Sequence, residues 1–478
     1  METINRIFFL LLILSVFTLR SQNEFSKWTF GTNAGLDFST SPPTPFTSSS
    51  GPASTGATLS DSNGNLLFYT DGFGVLDKNH NLMANGNIGP VDGLVAVKQP
   101  GNNNLYYIIT TNNSSSLKYS VVDMSLSTGL GSVTVLGTQI YNQTCFKLVA
   151  VRHCNGKDIW IITHDYNSNQ FRTLLLTSAG LLSTPVLSTV GPTLNTPGSS
   201  AGEMQISPNG KTLAVTQYTN SSPSSLGTAG FYLFDFDPST GIVSNSFQIA
   251  QTNCCISVEF SADGKKLYGN AQLSASSVTA QLYQWDLCAG SNAAIAGSKY
   301  TIDMGNYLCF DLRRAIDGKI YQSYTPVFPL PSTFSIDVIN NPSGSGAAMN
   351  FVPGGQSTGT NQPNGALPNY INTYAKPIIT FTPNQNCQNV SFTGPAPSFT
   401  GGCNPNAYPI NGYLWEFGEP SSGAANTSTA VSPSHSYSTT GTYSVKLIVY
   451  SNCTNDTVIQ TITVNNLSPT VAVSGNSV

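Results

Sequence analysis

The sequence predicts an all-β protein: a seven-bladed β-propeller followed by a smaller β-rich unit. Three observations carry this. First, a short phrase recurs at a fixed period, as Cys154-Asn155-Gly156-Lys157, Pro208-Asn209-Gly210-Lys211, Ala262-Asp263-Gly264-Lys265 and Ile316-Asp317-Gly318-Lys319, with successive glycines 54 residues apart. Asn-Gly and Asp-Gly between alternating apolar runs signal hairpins, and a two-residue type I′ turn needs positive φ at both central residues. A fixed period built on hairpins indicates propeller blades rather than an α/β core. Second, only 9% of residues are Asp, Glu, Lys or Arg. Ser, Thr, Asn and Gly must then supply the polar surface, which suits strands and loops better than helices. Third, equivalent strand-like runs follow the hairpins, such as Phe231 to Phe236 and Gln281 to Leu287.

At the N-terminus, Arg6 precedes an apolar run from Ile7 to Phe17 and then Thr18-Leu19-Arg20-Ser21-Gln22. A positive start, a short apolar segment and a small residue make a secretory signal. The expected signal peptide is 1–21. A membrane anchor would need about 20 apolar residues, more than this run supplies. No other segment reads as membrane-spanning.

Residues 22–375 form the expected propeller. Two further hairpins precede the four repeats, at Ser62-Asn63-Gly64-Asn65 and near Gly101. Inner strands are expected near 147–153, 201–207, 255–261 and 309–315. Ala366 to Ile371 reads as the inner strand of a seventh blade, with Lys27 to Gly31 and Gly35 to Phe38 as its outer strands. Pairing the two ends of the propeller closes the ring and removes free edges. Six blades with a trailing tail is the alternative. Val352 to Gly365, rich in Gly, Pro, Ser and Thr, reads as a long loop.

The second unit is expected over 376–466. It contains Tyr413-Leu414-Trp415-Glu416-Phe417-Gly418, then Pro433-Ser434-His435-Ser436-Tyr437, then Gly441-Thr442-Tyr443-Ser444-Val445. This order resembles the PKD module, whose pattern is Trp-x-Phe-Gly, Pro-x-His-x-Tyr and Gly-x-Tyr-x-Val. The resemblance implies an immunoglobulin-like β-sandwich. Alternation of Val445, Leu447 and Val449 agrees with a strand buried on one face, and Trp415 would fill the core. In such a topology Cys403 lies in a loop at the same end as the final hairpin, which holds Cys453. Cys387 sits in the turn at the other end. A Cys403–Cys453 disulfide is therefore expected, with Cys387 left free or paired between molecules. Residues 467–478 read as a tail or the start of a further module.

The whole order, with Leu67-Phe68-Tyr69-Thr70-Asp71-Gly72 in the first blade, resembles the gliding-motility-associated surface proteins of the type IX secretion class. This implies a secreted or cell-surface address and partners such as an extracellular glycan or surface protein. A net charge of −4 without a basic block argues against nucleic acid as a partner. With nine cysteines, no Cys-x-x-Cys and four histidines, no structural zinc site is indicated. Pairing among Cys254, Cys255, Cys288 and Cys309 is expected, with the partners left open.

Aligning the repeats on their glycines gives a register for candidate site residues. Seven before the glycine stand Val149, Glu203, Ser257 and Asp311; five before stand Val151, Gln205, Glu259 and Arg313. Period two places these on one face of each inner strand. Glu203, Gln205, Glu259, Asp311 and Arg313 are thus candidates to line the central tunnel, either as a ligand site or as hydrogen bonds between blades. Glu259 and Arg313 are expected to pair on neighbouring strands. Two Gly-x-Ser-x-Gly matches, at Gly198 to Gly202 and Gly355 to Gly359, lack the strand–turn–helix setting of a nucleophile elbow. No catalytic residue, metal ligand or cofactor is assigned. Two functions remain: a non-catalytic surface binding or adhesion protein, or an extracellular propeller hydrolase or lyase with a metal at the tunnel mouth.

Overall fold

The computed structural model describes residues 23–52, 55–112, 116–195, 197–218, 229–252, 255–272, 279–306, 308–325, 332–371, 381–394, 410–451 and 455–465. Residues 1–22, where a signal peptide is expected, Cys254, Cys403, Cys453 and the last residues lie outside these. The regular secondary structure of the described residues is almost all strand, and the chain divides into two compact units between residues 374 and 375.

The first unit is a propeller of seven blades, two of which are joined into one eight-stranded sheet. Six begin at inner strands Ala57–Ser60, Gly93–Lys98, Thr144–Arg152, Met204–Ile206, Cys255–Phe260 and Leu308–Arg314. We number these blades 1 to 6. Blade 7 is the three-stranded sheet Lys27–Phe30, Ala34–Asp37 and Thr44–Thr47. The outer strands of blades 1 and 2 touch through one parallel bridge, Ser132 with Ala84.

The repeated hairpins have a common construction that differs from the expected turn. At each repeat the glycine N–H bonds the carbonyl three residues earlier: Gly156 to His153, Gly210 to Ser207, Gly264 to Ser261 and Gly318 to Ala315. Each of these glycines has positive φ, between 67° and 81°, but the preceding Asn or Asp does not. The turn is therefore type I followed by a left-handed glycine, not type I′. The Asn or Asp is there for its side chain. Its Oδ1 accepts the N–H two residues on, from Lys157, Lys211, Lys265 and Lys319 respectively.

Closure also departs from expectation in detail. Residues 366–371 run through the centre but pair in no strand ladder. Pro368 has no N–H to give to one. The segment is instead held by packing, by side-chain bonds and by one backbone bond, Asn369 N–H to Gly56 O. Tyr370 stacks on Phe25 at 4.7 Å and lies 6.3 Å from Trp28, which also meets Tyr321 of blade 6 at 5.6 Å. An isolated bridge between Thr32 and Gln362 ties the two ends of the propeller. Gly31 makes this approach feasible, since a Cβ there would lie 2.2 Å from Gln362 O. Much of the expected 352–365 loop is in fact the outermost strand of blade 6, Phe351–Gly359. An edge position tolerates its Pro353 and its left-handed Gly354.

The second unit is a β-sandwich. One sheet joins Thr382–Asn386, Asn389–Thr393 and Ser434–Ser436; the other joins Thr427–Ser428, Ile410–Glu416, Gly441–Ser451 and Asn455–Val464. Trp415, Phe392, Phe417, Tyr437, Val445 and Leu447 are buried between the sheets. Trp415 Nε1 donates to Ala430 O and Tyr437 Oη donates to Phe417 O, each at 2.9 Å, so their polar tips are satisfied. Cys387 occupies the exposed turn between the first two strands at φ 55°.

Candidate functional site

The propeller geometry stacks equivalent register positions of successive blades side by side. Glu203, Ser257 and Asp311, each 54 residues from the next, meet at the start of the inner strands of blades 4, 5 and 6. Ser257 is the small member, and its size lets the two longer acids approach. Ser257 Oγ is in contact with Glu203 Oε2 and lies 2.9 Å from Asp311 Oδ1. Leu312 N–H donates to the same oxygen at 2.9 Å.

Arg313 joins this group from blade 6. Its Nη2 bonds Glu203 Oε1, and it reaches Asp311 Oδ2 at 3.0 Å. Gln205 Nε2 donates to Glu203 Oε1 at 3.3 Å. The expected Glu259–Arg313 pair is replaced by this arrangement. Glu259, fully buried, accepts the N–H groups of Phe260 at 2.8 Å and Arg314 at 3.0 Å. Arg313 turns to the blade two positions away because two acids converge there.

Burial sets the proton affinities. Desolvation raises the Glu203 carboxyl well above its ordinary value; Arg313 opposes this and Asp311 adds to it. Desolvation also raises Glu259, against Arg314 and Arg313. Desolvation works against the Arg313 charge, yet the carboxylates of Asp311, Glu203 and Glu259 hold its proton more firmly than usual.

Residues 365–371 bond to several inner strands around the tunnel. Leu367 N–H donates to Asp311 Oδ2 at 3.0 Å, and Ser323 Oγ donates to Gly365 O at 2.7 Å. Asn369 Nδ2 donates to Leu94 O and Leu148 O, while its N–H bonds Gly56 O. One segment thereby touches blades 1, 2, 3 and 6. A cavity of about 220 Å³ remains at the mouth, bounded by Lys147, Glu203, Ser257, Asp311, Leu367 and Asn369, among others.

Sequence reasoning missed Lys147 and Asn369. Lys147 is buried, and its Nζ donates to the carbonyls of Ser199, Ser200 and Ala201. Desolvation lowers its pKa to about 8. A signal existed: Lys147 and Ala201 share one register position, 54 residues apart. Among the described residues no group of three His, Cys, Asp or Glu could hold a metal ion, and no helix is long and apolar enough to cross a membrane.

Residues 374–465 match the PKD domain family. No curated protein matches the chain. Among solved structures, the PKD1 domain of a Vibrio cholerae metalloprotease is 30% identical, covering 19% of this chain and 98% of that one, with a TM-score of 0.15. A putative 6-phosphogluconolactonase from Bacteroides uniformis is 13% identical, covering 93% of this chain and 98% of that one, with a TM-score of 0.40. A quinoprotein alcohol dehydrogenase-like protein from Bacteroides thetaiotaomicron is 10% identical, covering 70% and 77%, with a TM-score of 0.41.

Proposed function

We propose that this is an exported, non-catalytic binding protein of the cell surface, of the gliding-motility-associated type. In this reading the propeller, 22–375, is a contact platform, and the PKD unit, 376–466, is a spacer or a glycan- or protein-contact module. The observation that carries the non-catalytic reading is the engagement of the tunnel groups with one another. Ser257 Oγ has three polar neighbours and no direction left for attack on a substrate. Arg313 bridges Glu203 and Asp311, and Leu367 N–H occupies Asp311 further. These groups hold blades together. The exported address is supported by Arg6 and the apolar Ile7 to Phe17 run, by the PKD match and by disulfide-bonded Cys154 and Cys288. A Cys403–Cys453 bond in the PKD unit belongs to the same reading.

The test is a glycan array and a surface-protein pull-down with the secreted full chain, together with elemental analysis. Saturable binding without turnover is the expected result. Stoichiometric calcium or zinc, with turnover of a lactone or polysaccharide that Glu203→Gln abolishes, would establish the hydrolase or lyase reading instead.

A further inference from the structure

Counting hydrogens around Ser257 leads to a specific protonation state. A serine hydroxyl has one hydrogen and two lone pairs. Leu312 N–H takes one lone pair at 2.9 Å. Two carboxyl oxygens, Glu203 Oε2 and Asp311 Oδ1, complete the shell. The one hydroxyl hydrogen serves only one of them. The other contact is a hydrogen bond only if that carboxyl carries a proton.

The remaining donors fix which one. Asp311 Oδ2 accepts from Arg313 Nη2 and Leu367 N–H, and Oδ1 faces Arg313 Nη2 at 3.3 Å, so both Asp311 oxygens are surrounded by donors. Glu203 Oε1 accepts from Arg313 and Gln205. Glu203 Oε2 receives no N–H: its bond is to Ser257, and the Glu203 carboxyl also stands against that of Asp311, a contact that needs a proton on one of the two acids. We propose that Glu203 is the neutral acid in the folded protein at neutral pH: Glu203 Oε2–H donates to Ser257 Oγ, and Ser257 Oγ–H donates to Asp311 Oδ1. The tunnel mouth is thus a proton-binding site that joins blades 4, 5 and 6 through one directional chain.

The other charged groups near it agree. Arg313 neutralises Asp311. Asp92 and Lys147 line the same cavity, and the Lys147 ammonium is bound by the carbonyls of 199–201. Glu259 lies deeper, with its oxygens on backbone N–H groups. Removing the Glu203 proton places a second carboxylate against Asp311 and leaves one Ser257 contact without a hydrogen. The blades then separate more easily as pH rises.

Glutamine at 203 reproduces the protonated state, with its amide donating where the acid did. The test measures unfolding of the full chain in denaturant from pH 5 to pH 7, for wild type and Glu203→Gln. The ratio of the two unfolding constants should change about tenfold per pH unit, as one proton is linked to folding in wild type and none in the variant. The direction is fixed: a raised folded pKa gives stability that is complete below the unfolded value and is lost as pH rises. A ratio that is flat with pH would overturn the proposal. A second readout is infrared absorption of 13C-glutamate-labelled protein at pH 7. A labelled carboxylic acid band that persists in Glu259→Gln is expected. Absence of the band in wild type, or its loss in Glu259→Gln, would overturn the assignment even if Glu203→Gln failed to fold.

Discussion

Glu203 in the propeller and Glu419 in the sandwich are the same residue type with opposite proton affinities. Desolvation raises both. In Glu203 it prevails, because Asp311 stands on the other side of Ser257 and one guanidinium serves both acids. In Glu419 it loses to hydrogen bonds: Ser438 N–H at 2.8 Å, Ser438 Oγ–H, and His435 Nε2 at 2.9 Å, which together hold the carboxyl below its ordinary range. The difference follows from symmetry. A propeller repeats one register, and here that register brings Glu203 of blade 4 and Asp311 of blade 6 to the two sides of Ser257. A sandwich brings unlike loops together, and donors from one can surround an acid of another. Between these two sites, a second acid competing for the same donors, as Asp311 does with Glu203, decides whether the buried carboxyl is charged.

The largest expected effect tests the propeller side of this contrast. Arg313→Leu removes the guanidinium that Asp311 and Glu203 share in a buried setting. The propeller should lose about 3–5 kcal/mol, read by denaturant unfolding. Hydrogen exchange in sandwich peptides should be unchanged. A loss below about 1 kcal/mol would mean that the ion pairs contribute little beyond what water gives.

Next in size is the sandwich equivalent. Glu419→Ala leaves Ser438 N–H and His435 without their acceptor and should cost about 2 kcal/mol, confined to sandwich peptides in hydrogen exchange. The two regions should also differ in acid. Glu419 has a lowered folded pKa, so its contribution is present above the unfolded value, about 4.3, and is lost as pH falls through the folded one. Sandwich protection should therefore drop below about pH 4, while Glu203, protonated there, leaves the propeller centre intact.

Asp337 extends the comparison within the propeller. It is buried in blade 6, and desolvation raises its pKa to about 6 against one N–H bond from Gly354 at 2.8 Å. Gln322 Nε2 lies 3.4 Å away. No cation is bonded to it among the described contacts. Its contribution is complete below about pH 3.8 and is lost as pH rises through about 6. Asp337→Asn keeps the Gly354 bond and should stabilise the propeller by about 2 kcal/mol at pH 7, with no gain at pH 4. A gain equal at both pH values would show that charge is not the cause.

Much of this was legible in the sequence, and the illegible part has a pattern. The 54-residue spacing located the hairpins and inner strands, because each glycine is required by a left-handed turn residue. Aligning the repeats on their glycines put Glu203, Ser257 and Asp311 at one register, and period two put them on one face. It could not say that Arg313 would pass over Glu259 for Glu203, because that depends on how far a side chain reaches across a narrow tunnel and on the small size of Ser257. The course of 366–371 was hidden for a similar reason: its apolar pattern suits a buried strand, but Pro368 breaks the ladder and Asn369 bonds the carbonyls of three other blades. In the sandwich the Trp-x-Phe-Gly and Pro-x-His-x-Tyr spacing identified the core, whereas Ser438 as the chief donor to Glu419 carried no sequence signal.

The smallest expected effect comes from a pair that has the charges of the tunnel but not its surroundings. Lys446 Nζ lies 3.1 Å from Glu416 Oε1 across two sandwich strands, Glu416 being directly opposite Lys446. Their side chains are 34% and 40% exposed. Water therefore solvates both charges before and after they meet, and salt screens what attraction is left. Lys446→Ala should cost at most about 0.5 kcal/mol, some of it from the lysine stem that covers the sheet, and added salt should shrink the difference further. Lys446→Met keeps the stem and isolates the charge, so it should be nearly silent. If Lys446→Met instead cost as much as Arg313→Leu, the contrast drawn between the two regions would fail, because exposure would no longer distinguish a charge that holds strands together from one that only decorates them.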